Sequence, residues 1–166
     1  MKFTRVMAIV LSFLMLMAFS ACKKGEELSG DVTLGSMFDS VLEKSGVSAD
    51  SMTKLETKED LENNYLIDPE DVKDFSAMVA RNSTQSINEF VIIEAVDSDA
   101  AERVSSWLQI RLDGQMGLCQ SYSPEFVAIL EKCKVEINGN FVSMIICENA
   151  TEVREHYNTF FKKVKN

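Results

Sequence analysis

His156 is the only histidine in the 166-residue chain, and Cys147 lies nine positions before it. A thiol with an imidazole as its base is the chemistry such a pair could supply. Cys147 closes the apolar run Met144-Ile145-Ile146, however, and a thiol at that place reads as a buried, free one. His156 falls beside Tyr157 on a helical pattern, so nothing in the spacing aims it at the thiol. Asp68, Glu70, Asp71 and Asp74 form an acidic cluster that could offer oxygens to calcium. A calcium loop needs six to eight oxygens and a turn glycine, and this segment carries no glycine. Asp68 before Pro69 instead reads as a cap on a helical turn, with Glu70 and Asp71 at its positive end. The sequence holds no GxSxG elbow, phosphate loop, dinucleotide fingerprint or Cys/His zinc spacing. We therefore expect no catalytic residues, no metal and no cofactor.

The remaining reactive position is Cys22. Lys2 and Arg5 precede an apolar run from Val6 to Phe19, and Ser20 and Ala21 lead into the cysteine. A charged start, an apolar middle and small residues at the cut read as a secretory signal peptide over residues 1–21. The run is too short for a permanent helical span, which takes about 20 apolar residues. Phe19-Ser20-Ala21-Cys22 resembles the lipobox of bacterial lipoproteins, with Phe19 where that family prefers leucine. The resemblance implies cleavage before Cys22 and acylation of its thiol, and two acyl chains would anchor the protein stably to a membrane.

Loss of residues 1–21 removes two cations and no acid, and takes the net charge from −9 to −11. So acidic a chain argues against nucleic acid as a partner, since phosphate recognition needs clustered Lys and Arg. It also argues against docking on anionic lipid heads. Cys119, Cys133 and Cys147 are odd in number and cannot all pair within the chain. Cys119 and Cys133 flank a short helical stretch and are the pair open to a disulfide, which nothing in the pattern requires.

The elements follow from periodicity. Residues 22–33 are polar and read as the lipidated cysteine and a flexible tether, with a single α+β domain over 34–166. Leu34, Met37, Phe38, Val41 and Leu42 predict a helix stopped by Gly46. A short helix is expected over 58–64, a strand over 72–80, a polar turn over 81–86 and a buried strand over 90–96. Asp97 opens a helix whose Ala101, Val104, Trp107, Leu108 and Leu112 share a face, with Gly114 and Gly117 weakening its end. A helix over 126–132, a hairpin centred on Asn138-Gly139 and a last helix over 151–165 complete the chain. Trp107, Tyr157 and Phe160 are expected in the core. Two strand-strand-helix units would make a four-stranded antiparallel sheet with the helices on one face.

Tyr65-Leu66-Ile67-Asp68-Pro69-Glu70-Asp71-Val72, Glu89 opening an apolar strand, Tyr122-Ser123-Pro124-Glu125 and Gly139-Asn140-Phe141-Val142 occur in an order and spacing that resemble a family of bacterial lipoproteins of unknown function, common in Gram-positive anaerobes. That resemblance implies a lipid-anchored extracytoplasmic domain and transfers no activity. Tyr65 and Tyr122, next to loop or helix-start positions, are the candidate binding surface. The expected function is a binding or interaction module at the cell envelope, held by its lipid and partnered by an envelope protein or a cell-wall component. An envelope hydrolase with an unfamiliar site and a small-solute binder are the alternatives.

Overall fold

The computed structural model describes residues 27–162, so Cys22 and the signal-peptide region lie outside the described residues. In chain order the elements are β1 (Glu27–Leu28), α1 (Leu34–Ser45), β2 (Met52–Leu55), α2 (Lys58–Tyr65), β3 (Val72–Ala80), β4 (Glu89–Ala95), α3 (Ser98–Tyr122), α4 (Val127–Leu130), β5 (Val135–Asn138), β6 (Phe141–Ile146), α5 (Ala150–Asn158) and β7 (Phe161–Lys162). The fold is α+β. Its main sheet is open and antiparallel, with five strands in the order β2-β3-β4-β6-β5 rather than the expected four. The additional strand, β2, is four residues long with its two middle residues exposed, too short for an alternating pattern to stand out.

The helices cover both faces of the sheet, not one. Successive side chains on a strand point to opposite faces, yet Phe90, Val91, Ile92 and Ile93 on β4 are all completely buried. On β6, Val142 to Ile146 are buried in succession as well. Registered pairs place Phe90, Ile92, Ile145 and Phe141 on one face and Val91, Ile93, Met144 and Val142 on the other. Over the first face lie α1 and α5. Asn158 on α5 accepts a hydrogen bond from Asn138 at 2.9 Å and donates to Glu136 at 3.0 Å, and Phe141 packs against Phe161 just beyond α5. The His156 ring and the Ser40 hydroxyl, 2.9 Å apart, join α5 to α1. Over the second face lies α3, with α2 and α4 packed against it. The two strand-strand-helix runs therefore do not share one face, because α3 and α5 pack on opposite sides of the sheet.

Local chemistry explains the boundaries. Thr33 and Thr57 close capping boxes with Ser36 and Asp60, and Gly46 ends α1 in the left-handed conformation. The β5–β6 hairpin forms as expected, but Asn138 is its last strand residue, paired with Phe141. The turn is Gly139-Asn140, with Gly139 at φ +60°, so glycine sits at the first central position. The last helix stops at Asn158, and the chain then pairs β7 with β1. That pairing, with Leu28 and Val32 against the core, brings residues 27–33 into the domain that was expected to begin at Leu34.

Cys119, Cys133 and Cys147 are buried and free. Burial pushes the Cys133 thiol up to about 11 and the Cys147 thiol up to about 12. The native state thus holds these protons more tightly than the unfolded chain, whose thiols ionise near about 8.5. Their contribution is complete below that pH and is lost as pH rises toward the folded values. We predict that the free energy of urea unfolding falls between pH 8.5 and 10, by on the order of 1 kcal/mol per thiol per pH unit, and that Cys133→Ala/Cys147→Ala flattens the slope. The native protein at pH 8 should also leave these thiols unlabelled by a maleimide over times that label the urea-unfolded chain.

Candidate functional site

α3 positions most of the polar chemistry that the core does not consume. Asp97 caps it, accepting from the Ala100 N–H at 2.8 Å, and Ala100, Ala101, Val104, Leu108, Leu112 and Cys119 form its buried row. The helix continues through Gly114 and Gly117 to Tyr122, further than glycine propensity alone predicts, because the buried row extends to Cys119.

On one shoulder of α3, Arg111 reaches the sheet. Its Nε and Nη2 donate to the two carboxylate oxygens of Glu89 at 3.2 and 3.0 Å. Glu89 opens β4 and its side chain is only 3% exposed, so the guanidinium neutralises a charge enclosed by the sheet and the helix layer. Burial works against the Arg111 charge, but the hydrogen bond and charge of Glu89 outweigh it and keep its pKa raised. The Arg111 guanidinium also stands 6.0 Å from the centre of the Tyr65 ring. Tyr65 is buried, and its hydroxyl makes no hydrogen bond of ordinary geometry. Burial first, and the neighbouring Glu89 carboxylate second, push that hydroxyl's pKa far up.

A cleft of about 170 Å³ opens beside this cluster. Arg111 and Gln115 form its α3 wall, Asn64 adds the end of α2, and Ser83, Ser86 and Asn88 come from the β3–β4 loop. The same loop shares Ser86, Ile87 and Asn88 with a second cleft of about 300 Å³, whose apolar side includes Val47, Phe126 and Ile129. Two turns before Arg111, Arg103 clamps Asp71 at 2.9 and 2.5 Å, and this hydrogen bonding holds the Asp71 carboxyl below its ordinary pKa.

The outward row of α3 carries Trp107, Ile110 and Leu118, all exposed, and Tyr122 is exposed as the last residue of the helix. Trp107 was expected in the core with Tyr157 and Phe160. It is rotated about 100° from Leu108 and leaves the buried row, whereas Tyr157 is fully buried and Phe160 packs edge-on against His156. Of the two candidate tyrosines, Tyr122 is 81% exposed and Tyr65 only 3%. Tyr122 lies eleven residues beyond Arg111, roughly 16 Å along the helix, so the two tyrosines form no common surface.

The structure does not bring Cys147 and His156 together. The Cys147 thiol faces the Asn149 side chain at 3.4 Å, and His156 engages Ser40. The acids of the 68–74 cluster have local duties: Asp68 accepts from the Glu70 N–H, Asp71 binds Arg103, and Asp74 accepts from the Phe75 N–H. Cys22 lies outside the described residues. Among the described residues no helix is long and apolar enough to cross a membrane.

The Glu89–Arg111 pair was not anticipated. Its signal was present: an acid inside an otherwise apolar strand must find a cation, and Arg111 is placed to supply it. The profile of a family described as a domain of unknown function (DUF4358) matches residues 45–147, which include the whole five-stranded sheet, α2, α3 and α4. The stretches from Tyr65 to Val72, Tyr122 to Glu125 and Gly139 to Val142 fall within that span, as does Glu89. No curated protein and no solved structure matches the chain significantly.

Removing Arg111 should leave Glu89 buried and unpaired. We predict that Arg111→Met lowers stability by about 3 kcal/mol, while Arg111→Met/Glu89→Leu recovers to within about 1 kcal/mol of the parent. Urea unfolding of the three proteins at pH 7 checks both.

Proposed function

The chain belongs to the DUF4358 family, and we propose that it works as a binding module on the extracytoplasmic face of a bacterial membrane, held there by lipid on Cys22. Its partner in this reading is a component of the cell envelope, an envelope protein or part of the wall. The observation that carries the binding reading is the outward face of α3. Trp107, Ile110 and Leu118 form an exposed apolar row at helical spacing on a chain whose core is already closed. Gly114 and Gly117 lie within and beside that row. A Cβ at either position would meet nothing within 4 Å, so the fold itself has no steric need of them. Glycine inside a helix costs about 1 kcal/mol relative to alanine. Its presence on this face leaves room for another molecule to approach the helix backbone. The cleft beside Arg111 adjoins the same helix and supplies polar groups to the surface.

The address rests on the N-terminal sequence. Lys2 and Arg5, the apolar run and Ser20-Ala21-Cys22 support export and acylation.

Photo-crosslinking in living cells tests the reading. A photoreactive residue at Ile110 or Leu118 should give one discrete adduct, and the same residue at exposed Glu152 on α5 should not. The adduct should weaken in a Cys22→Ala form, which cannot be anchored. Equal labelling from both faces, or none from α3, would contradict the proposal. Gly114→Ala should raise the stability of the free protein by about 0.5–1 kcal/mol, read as a higher melting temperature, while reducing the α3 adduct.

A further inference from the structure

The cleft beside Arg111 has a composition that narrows its ligand. Its only ions, Arg111 and Glu89, are already joined in a two-pronged pair, and Glu89 is enclosed. A charged ligand would have to compete with that pair for its partner. Beside an apolar side formed by Val79 and Ile87, the other polar groups are neutral: the amides of Asn64, Asn88 and Gln115 and the hydroxyls of Ser83 and Ser86, of which Asn64 already donates to the Asp60 carbonyl and Ser86 accepts from the Asn88 N–H. Amides and hydroxyls both donate and accept, so they suit a ligand that does the same at several neighbouring atoms. At about 170 Å³, the space is well under the roughly 300–1,000 Å³ that encloses a drug-sized molecule. It admits a single ring or side chain, with the rest of the ligand outside.

We infer that this cleft is a subsite for one unit of a neutral saccharide, an inference that rests on the envelope-binding reading above and gives that reading a ligand class. A sugar ring carries a hydroxyl on nearly every carbon and meets a dense set of amides and hydroxyls in a small volume. A peptide backbone offers one donor and one acceptor per residue, fewer than a sugar ring brings to the same volume. Because Asn64, Ser83, Ser86, Asn88 and Gln115 come from three separate segments, the sugar would bridge the end of α2, the β3–β4 loop and α3. Arg111, fixed by Glu89, would hold its remaining N–H donors toward the ring as a positioned hydrogen-bonding group.

The test is a nuclear magnetic resonance titration of the full chain in detergent micelles. The probes are maltotetraose, cellotetraose and chitotetraose, with a tetragalacturonate and a blocked tetra-alanine peptide as comparators. The side-chain amide resonances of Asn64, Asn88 and Gln115 should shift saturably with at least one neutral tetrasaccharide at millimolar concentration. Gln115→Ala and Asn88→Ala should each weaken that binding about tenfold, with the rest of the spectrum unchanged. No saturable shift with the neutral sugars, or equal shifts with the galacturonate or the peptide, overturns the saccharide assignment. If the crosslinked adduct from Ile110 survives in the same cells, the envelope-binding reading stands without it. If that adduct is missing too, both fail.

Discussion

The fold is governed by a strand that is apolar on both sides. Phe90 and Ile92 face one way and Val91 and Ile93 the other, and none tolerates water. Such a strand must lie inside a sheet and under helices on both faces. β4 accordingly sits between β3 and β6, with α1 and α5 on one side and α3, against which α2 and α4 pack, on the other. One charged residue shares this environment. Glu89, at the head of the strand, points to the α3 side and is as enclosed as its neighbours. A carboxylate there is tolerable only with a cation and good hydrogen bonds, and Arg111 supplies both. The pair therefore fixes where α3 crosses the end of β4.

That fixing has consequences further along the helix. Arg111 secures one shoulder of α3 and Arg103, through Asp71, ties an earlier turn to the segment that leads into β3. Between and beyond these clamps the helix offers its outer side to the surroundings. The polar cleft lies on the Arg111 shoulder, and the exposed row of Trp107, Ile110 and Leu118 runs alongside. Structural demand and available surface thus meet on one element. Sequestered thiols, a histidine bound to Ser40 and acids used as caps and clamps show how much of the remaining reactive chemistry is spent on the fold.

Much of the fold is legible in the sequence. The β-branched content of 90–96, the helical spacing from Leu34 to Leu42 and the glycine turn before Phe141 each had an unambiguous local cause. β2 was hidden because four residues cannot display a period, and its strand character comes from pairing with β3. The coverage of both faces was also implied, since Phe90 to Ile93 do not alternate, but a continuous apolar run does not say where the second layer comes from. Trp107 was misplaced because a broad apolar stripe and an outward row differ by one helical step. Tyr65 was judged by its place before a loop, whereas its ring is held under α3 beside Arg111. The candidate cleft could not be read at all, because its walls come from three segments distant in sequence.

The functional account depends on address. The proposed binding at the envelope through the exposed row of α3 requires Cys22 to be the lipidated N-terminus. The most direct measurement is the intact mass of the protein extracted from membranes of cells that make it, with the N-terminal peptide sequenced. The account predicts a chain beginning at Cys22 and carrying a diacylglyceryl group on its sulfur. A chain that still begins at Met1, or one cut elsewhere with an unmodified Cys22, would contradict it.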